Sequence, residues 1–470
     1  MKIKFNDILE KLPKEDVNDY RSENKVLFSN SRRVCVVIDD DPTGNQTVYG
    51  IPLLTSWKLN VFIKEFIQGT PIFFVLTNSR SLMPDEVAVI YKEIGDNIAK
   101  ASQITKRGVS IISRSDSTLR GHFPLEPNTL REYLKLKDPI TVFIPVMFEG
   151  KRLTVNNVHY IHDTDELIPV NETPFAQDHS FKYTKANLAE YIEEKTLGRV
   201  PSESVISFSL EKIRNTKVDE LVTEVKKIPA QSYCIFNSIN YTDLDKVAQV
   251  LLYAEKLGKQ IIYRTSSSFV PSYIGQEPKE LLSASEILDK SNRNGGITVV
   301  GSYVKKSSEQ LHKALSLFDA SSIVEIEVSK VLKNGSNDYM EKIIERINKL
   351  LYNEKDVIVF TSRTLVTGSN INTNVDIAKT ISQSLIDLVV GLTVKPKYFI
   401  AKGGITSHDL AIKGLGMLRS KVIGQIQPGI PVWKMGSETK FPRLSYIVFP
   451  GNVGDSTTLH TIITKLKTHV

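Results

Sequence analysis

Arg33-Val34-Cys35-Val36-Val37-Ile38-Asp39-Asp40-Asp41-Pro42-Thr43-Gly44 is the stretch that decides the fold. Five apolar residues run together without alternation, and most are β-branched. Such a run predicts a strand buried on both faces, as in a parallel sheet covered by helices. It ends abruptly at three carboxylates and a turn containing proline and glycine. The polar residues therefore fall at the carboxyl end of the strand, where open α/β sheets bind ligands.

The same alternation recurs on both sides. Further strands are expected at Ile72–Leu76, Val109–Ser113, Ile140–Ile144, Tyr233–Asn237 and Gln260–Tyr263. A second set is expected at Ile297–Gly301, Ser322–Val328, Val357–Thr361, Lys397–Ala401 and Tyr446–Pro450. Helical periodicity fills Asp85–Arg107, Asn215–Ile228, Thr242–Gly258, Asn337–Asn353 and Asn372–Leu392. The expected class is α/β, with two domains, each a largely parallel sheet flanked by helices. A chain of 470 residues exceeds one ordinary core. The boundary is expected within Thr265–Gly296, which holds three consecutive serines, two prolines and Asn292-Arg293-Asn294-Gly295-Gly296. That divides the chain into residues 1–285 and 286–470. Phe148–Lys185 shows little periodicity and reads as a long functional loop or flap.

Composition narrows the classes. Hydrophobic content of 41% with 24% charged residues excludes a disordered or fibrous chain. The net charge of +7 is spread along the sequence, without the basic block or basic-aromatic interleaving that tracks nucleic acid. No apolar stretch approaches the roughly 20 residues of a membrane span. Met1–Glu10 lacks an apolar signal core, so a cytoplasmic protein is expected. Cys35 and Cys234 sit in strand-like runs and read as buried free thiols in a reducing compartment rather than a disulfide.

Three loops follow strands of the first half: Asp39–Gly44, Thr77-Asn78-Ser79-Arg80, and Arg114-Ser115-Asp116-Ser117-Thr118-Leu119-Arg120-Gly121-His122. In a parallel sheet they converge on one polar pocket; the simpler reading is a set of capped helix starts. Three adjacent carboxylates repel one another unless a cation compensates, and Mg²⁺, Arg114 or a lysine could do so. A solvated turn is the plainer alternative. Arg114 and Asp116 suit a sugar acid: a guanidinium fork matches a carboxylate, and an aspartate can accept hydroxyl bonds or remove a proton. Asp40 and Asp41 complete the substrate-binding candidates. Asp116 and Asp40 are the alternatives for the catalytic base, and their order stays open. Arg120 and His122 are possible additions, although a lone loop histidine is more often a hydrogen-bonding residue than a catalyst.

In the second half, glycine follows three strands: Val299-Val300-Gly301-Ser302-Tyr303, Lys402-Gly403-Gly404-Ile405-Thr406-Ser407 and Pro450-Gly451-Asn452-Val453-Gly454-Asp455. Small residues let backbone approach a phosphate. No Walker A sequence and no G-x-G-x-x-G fingerprint is present.

Taken together, Asp39–Gly44, Thr77–Arg80, Arg114–Gly121, Gly301-Ser302, Lys402–Ser407 and Pro450–Asn452 resemble the four-carbon acid sugar kinase family, in the family's order and across nearly the whole chain. The resemblance implies an N-terminal sugar-acid-binding domain over 1–285 and a C-terminal nucleotide-binding domain over 286–470. It implies ATP contacts at Ser302, Gly403, Gly404, Ile405, Thr406 and Gly451, with ATP and Mg²⁺ as cofactors. The implied activity is transfer of phosphate to an alcohol of a threonate, erythronate or 3-oxo-tetronate in carbohydrate-acid catabolism. Its partners would be a small sugar acid and ATP, with no nucleic acid and no membrane; a homo-oligomer is compatible. Phe148–Arg152 and Thr173–Asp178 mark a longer subtype. Pro271 follows Ser268-Phe269-Val270 where relatives tend to have arginine, and Ile405 replaces a glutamate found in the glycine turn of some members. These departures bear on the substrate more than on the reaction.

Two rivals share these residues. Asp39-x-Asp41-x-Thr43 fits the nucleophile loop of a haloacid-dehalogenase-type phosphohydrolase, but Gly454-Asp455 lacks the second aspartate that its metal loop requires. A non-catalytic sugar-acid sensor would use the acidic pocket and leave the three glycine turns unexplained.

Overall fold

The computed structural model describes residues 3–333, 336–363 and 371–467. The chain forms two units, Met1–Val48 with Ser56–Pro278, and Tyr49–Thr55 with Lys279–Val470. Both are α/β.

In the first unit, strands lie in the order Ile206–Phe208, Tyr233–Phe236, Ile140–Ile144, Ile261–Thr265, Val109–Arg114, Val34–Asp39 and Ile72–Leu76. Every neighbouring pair among them is parallel. Val34–Asp39 is buried along its whole length, as its unbroken apolar run requires. Pro84–Thr105 and Tyr241–Lys256 are the long helices of this unit. The first opens on Pro84, and the Glu86 carboxylate accepts the Met83 N–H at 2.9 Å. The second is capped by Asn240, which accepts the Asp243 N–H at 3.0 Å. The helix expected over Asn215–Ile228 runs from Val218 to Lys227, and a separate short helix, Leu210–Asn215, precedes it. Register sets which strand ends meet in this sheet. Asp39 lies opposite Arg114 and Leu76, and Arg114 lies opposite Thr265. The loops that follow these residues therefore leave the sheet side by side.

Phe148–Lys185 is more than a flap. Arg152–Val155, Val158–Asp163 and Glu166–Pro169 form an antiparallel meander, with Ile3–Lys4 pairing on Glu166–Pro169. Leu153, Val155, Tyr160 and Leu167 pack with Leu210 and Ile239 beneath it. The first hairpin turns at Asn156 and Asn157, with φ of 50° and 65°. Two positive φ values in a two-residue loop make a type I′ turn, which asparagine tolerates.

The second unit has parallel strands in the order Ser445–Phe449, Phe399–Lys402, Ile297–Val300, Val357–Thr361 and Ile323–Ile326. An antiparallel run continues from Ser445–Phe449 through Ile430–Met435 and Arg419–Gln427 to Ile51–Leu54. Val300, Ile358, Ile400, Val432 and Ile447 meet Leu459, Ile462 and Ile463 of the Thr458–Lys467 helix in one core.

The Asn156 turn is open to test. Asn156 is exposed with φ of 50°. Asn156→Gly should leave stability unchanged or slightly raised, whereas Asn156→Val should cost about 1–2 kcal/mol in urea denaturation. Equal midpoints for the two variants would contradict the I′ geometry.

Candidate functional site

Asp39 ends its strand directly opposite Arg114. Arg114 Nη1 lies 3.1 Å from Asp39 Oδ1 and 3.6 Å from Asp40 Oδ1. The chain then doubles back tightly over this pair. A Cβ on Gly44 would overlap both the Asp39 carboxylate and the Arg114 guanidinium, so the turn demands glycine. Asp39 Oδ2 and Arg114 Nε are buried without a hydrogen-bond partner. Burial pushes the Asp39 carboxyl up to about 7; Arg114 opposes the rise, and Asp40 and Asp41 add to it.

The next carboxylates belong to other cations. Arg80 Nη2 is 2.6 Å from Asp40 Oδ1, and Arg80 Nη1 is 3.2 Å from Asp41 Oδ2 and 3.7 Å from Asp116 Oδ1. One guanidinium thus bridges the first and third loops. Ser115 Oγ donates to Asp40 Oδ2 at 2.6 Å. Asp41 accepts the Thr43 N–H at 2.7 Å and the Thr43 hydroxyl, capping its own turn. Asp116 accepts the Thr118 hydroxyl, and Arg120 Nε at 2.8 Å. Burial works against the ionised form of Asp116, yet Arg80 and Arg120 outweigh it and hold the carboxyl well below the usual carboxylate range. Beneath the cluster, Arg264 donates to Glu126 at 2.5 Å, Ser113 at 2.9 Å and Ser115 at 2.8 Å.

The meander region reaches the same cluster. Arg120 Nη1 lies 3.6 Å from Asp178 Oδ2, and its guanidinium sits 5.0 Å from the centre of the Phe175 ring. Tyr183 donates to the Thr118 carbonyl at 2.7 Å. His159 is wholly buried between Thr154 and the Ser117 carbonyl, and burial lowers it to about 4, so it is neutral near pH 7. His122 Nε2 is 3.1 Å from the Ser79 carbonyl oxygen, and its ring meets Phe181 edge-on.

The expected residues thus occupy distinct layers. Asp40 has no exposed surface and the Arg114 side chain is 5% exposed, whereas Asp116 is 13% and Asp41 24% exposed. Arg114 is turned onto Asp39. Arg80 and Arg120, 18% and 25% exposed, are the guanidiniums that border Asp41 and Asp116. The sequence holds Arg80 in a recognisable strand-end loop, but its bridging role depends on sheet order.

In the second unit, Gly301-Ser302, Lys402-Gly403-Gly404 and Pro450-Gly451 follow three adjacent parallel strands. Ser302 N donates to the Lys402 carbonyl at 3.2 Å, and Ser307 Oγ bonds Ser302 Oγ and the Gly451 carbonyl, each at 3.0 Å. Gly403 has φ of 123°, and a Cβ there would come within 3.0 Å of Thr406 Oγ1. A Cβ on Gly404 would meet nothing within 4 Å. The conformational demand therefore falls on Gly403, and open space lies at Gly404. Ile405 points outward, 62% exposed. Arg363 Nη2 donates to the Ser302 carbonyl at 2.8 Å. Lys402 Nζ is buried, donates to the Pro450 carbonyl at 3.0 Å and lies 3.7 Å from the Phe449 ring centre. Burial, with Lys306 adding to it, lowers this ammonium to about 7.

Among the described residues, no group of three His, Cys, Asp or Glu side chains could hold a metal ion, and no helix is long and apolar enough to cross a membrane. Cys35 and Cys234 are buried and free.

Residues 35–273 match a family model described as a sugar-binding N-terminal domain, and residues 297–459 one described as a nucleotide-binding C-terminal domain. A two-part α/β protein pairing a sugar-binding with a nucleotide-binding domain is the class so defined. The fold is that of a Haemophilus influenzae protein of the DUF1537 family, with a TM-score of 0.62 at 15% identity over 92% of this chain and 99% of that one. A Salmonella typhimurium LT2 protein with a provisional tRNA synthase designation gives a TM-score of 0.63 at 14% identity, over 92% of this chain and 98% of its own. No curated protein matches the chain. The chain belongs to the four-carbon acid sugar kinase family.

Asp39 gives the site a pH signature. Its folded value of about 7 lies above the roughly 3.9 of an unfolded chain. Its stabilising contribution is therefore complete below about pH 4 and is lost as pH rises through about 7. Denaturation across that window should show the wild type losing up to about 1.4 kcal/mol per pH unit relative to Asp39→Asn. Parallel profiles would contradict the assignment.

Proposed function

We propose that the protein is an ATP-dependent kinase that phosphorylates a hydroxyl of a four-carbon sugar acid, of the threonate, erythronate or 3-oxo-tetronate type, in cytoplasmic carbohydrate-acid catabolism. The observation that carries this reading is the interleaving of Arg80 and Arg120 with Asp41 and Asp116 at one sheet edge. Guanidiniums match a carboxylate, and carboxylates accept from hydroxyls. A ligand rich in both groups in a small frame is a short sugar acid.

Asp116 is the stronger candidate for the group that meets the reacting hydroxyl, because Asp40 is enclosed by Arg80 and Ser115. The depressed Asp116 carboxyl is a weak base, which suits orientation of a hydroxyl better than early proton removal. Loose phosphoryl-transfer transition states ask mainly for positioning and charge compensation. Arg114 then supports the pocket from below by holding Asp39.

The nucleotide is assigned to the three glycine-bearing strand ends of the second unit. Ser302 and Thr406 offer hydroxyls, Gly403, Gly404 and Gly451 let backbone come close, and Ile405 contributes through its backbone. Asp39, Asp40, Asp41 and Asp116 are already matched by guanidiniums, and no metal cage is found among the described residues. Mg²⁺ is accordingly expected on the nucleotide phosphates, as is usual for this ion.

The phosphohydrolase reading would make Asp39 a nucleophile, but Asp39 has no exposed surface and is closed over by the Gly44 turn. A sensor would have no use for a nucleotide-binding domain.

The activity is tested by coupled ADP detection with ATP, Mg²⁺ and a panel of four-carbon sugar acids and their oxo derivatives. Acid-dependent ADP release is expected, with Asp116→Asn lowering kcat more than it raises KM. No acid-dependent turnover across the panel would refute the reading. The nucleotide site has its own test by calorimetry with a non-hydrolysable ATP analogue. Gly404→Val should fold normally and bind the analogue at least about tenfold more weakly, because its side chain enters the space assigned to phosphate. Gly403→Ala should chiefly lose stability. Unchanged affinity in folded Gly404→Val would displace the site.

A further inference from the structure

Arg152 is a buried-guanidinium problem that the cluster around Asp116 does not solve. Its Nε is buried without a hydrogen-bond partner, and its Nη1 donates to the Gly150 carbonyl at 2.5 Å. An arginine head with a desolvated, unmatched N–H is costly unless a ligand supplies the acceptor. A backbone pairing and a ring contact place this residue beside the candidate site.

The backbone is fixed first. Arg152 N donates to the Met147 carbonyl at 2.9 Å, and Met147 N donates back to the Arg152 carbonyl at 3.0 Å. Met147 Sδ in turn accepts from Ser117 Oγ at 3.4 Å, next to Asp116, and from Gln46 Nε2 at 3.6 Å, just beyond the acidic turn. The side chain is fixed second. Its guanidinium lies 5.9 Å from the centre of the Phe175 ring, the ring that also carries Arg120 at 5.0 Å. Arg120 is bonded to Asp116. Two like charges on one aromatic ring repel, and only Arg120 has carboxylate partners, Asp116 and Asp178, among the ion pairs of the described residues. Burial works against the charge of Arg152, Asp116 favours it, and Arg120 opposes it, so the guanidinium is held below its usual range. An anion placed between the two guanidiniums would relieve the repulsion and satisfy Nε.

We propose that Arg152 and Arg120, held on Phe175, form the subsite for the carboxylate of the substrate, so that the meander region selects an acid over a neutral polyol. This deepens the proposed function by assigning acid recognition to a particular pair, and rests on that reading for the identity of the ligand. Arg80 and Asp116 are left to the hydroxyl end of the molecule. The fork geometry of a guanidinium, rather than charge alone, is what the subsite uses.

The test reads binding without ATP, so it does not depend on turnover. Wild-type protein, Arg152→Gln and Arg152→Lys are titrated calorimetrically with D-threonate, D-erythronate and neutral meso-erythritol, and each is unfolded in urea. The wild type should bind one of the acids and bind erythritol far more weakly. Arg152→Gln should weaken acid binding at least about tenfold, leave erythritol unaffected and keep the wild-type urea midpoint. Arg152→Lys should fall between, and decides the matter if the glutamine variant does not fold. Wild-type acid affinity in either folded variant would overturn the subsite, as would a wild type that binds neither acid. ADP release by the wild type, measured separately, shows whether the kinase reading fails on its own.

Discussion

The buried pair of Asp39 and Arg114 is the constraint on which the first unit's site depends. Two adjacent parallel strands end level, and their last residues, Asp39 and Arg114, meet each other inside the sheet. Matching fixes the two loops against each other before any ligand arrives. Breaking such a pair by removing one partner leaves a buried charge, which typically costs 3–5 kcal/mol. The Gly44 turn can close over the pair because glycine has no Cβ to collide with it. Everything above inherits that placement: Asp40 onto Arg80 and Ser115, Asp41 onto Thr43, and Asp116 between Arg80 and Arg120. The cluster alternates in sign from the interior outward, so its inner members hold the scaffold and its outer members retain exposed polar surface.

The second unit solves a different problem with different means. Its three strand ends carry glycines and hydroxyls rather than ion pairs, and the buried Lys402 bonds backbone carbonyls of the Pro450-Gly451 turn. That arrangement leaves small side chains and backbone at the surface where a polyanion would lie. Under the proposed function, the charge-matched carboxylates of one unit would meet a hydroxy acid and the backbone-rich turns of the other a nucleotide phosphate.

Much of this was legible in the sequence wherever a strand was buried on both faces. Ile72–Leu76, Ile140–Ile144 and Val357–Thr361 have the bounds that their apolar runs predict. Arg419–Gln427 escaped because it alternates: Ser420, Val422 and Ile426 face inward, while Lys421 is exposed and Ile423 and Gln425 are partly so. The meander escaped for a related reason, since its inward positions include Thr154 and His159, which read as polar loop. Asn156-Asn157 was the available signal for its first turn. In the site, residue types were readable but partners were not. Arg114 and Asp116 are two residues apart, yet the first faces Asp39 inside the sheet and the second faces Arg80 and Arg120 at its edge. That division follows from register and sheet order, which no local pattern encodes.

In the proposed reaction, phosphate passes from ATP to a hydroxyl of a sugar acid. Phosphorus-31 nuclear magnetic resonance of a reaction with ATP, Mg²⁺ and the preferred acid measures this directly. A phosphomonoester resonance should grow in step with ADP while inorganic phosphate stays flat. Release of inorganic phosphate in place of the ester, or loss of a phosphomonoester from a sugar-acid phosphate without ATP, would contradict it.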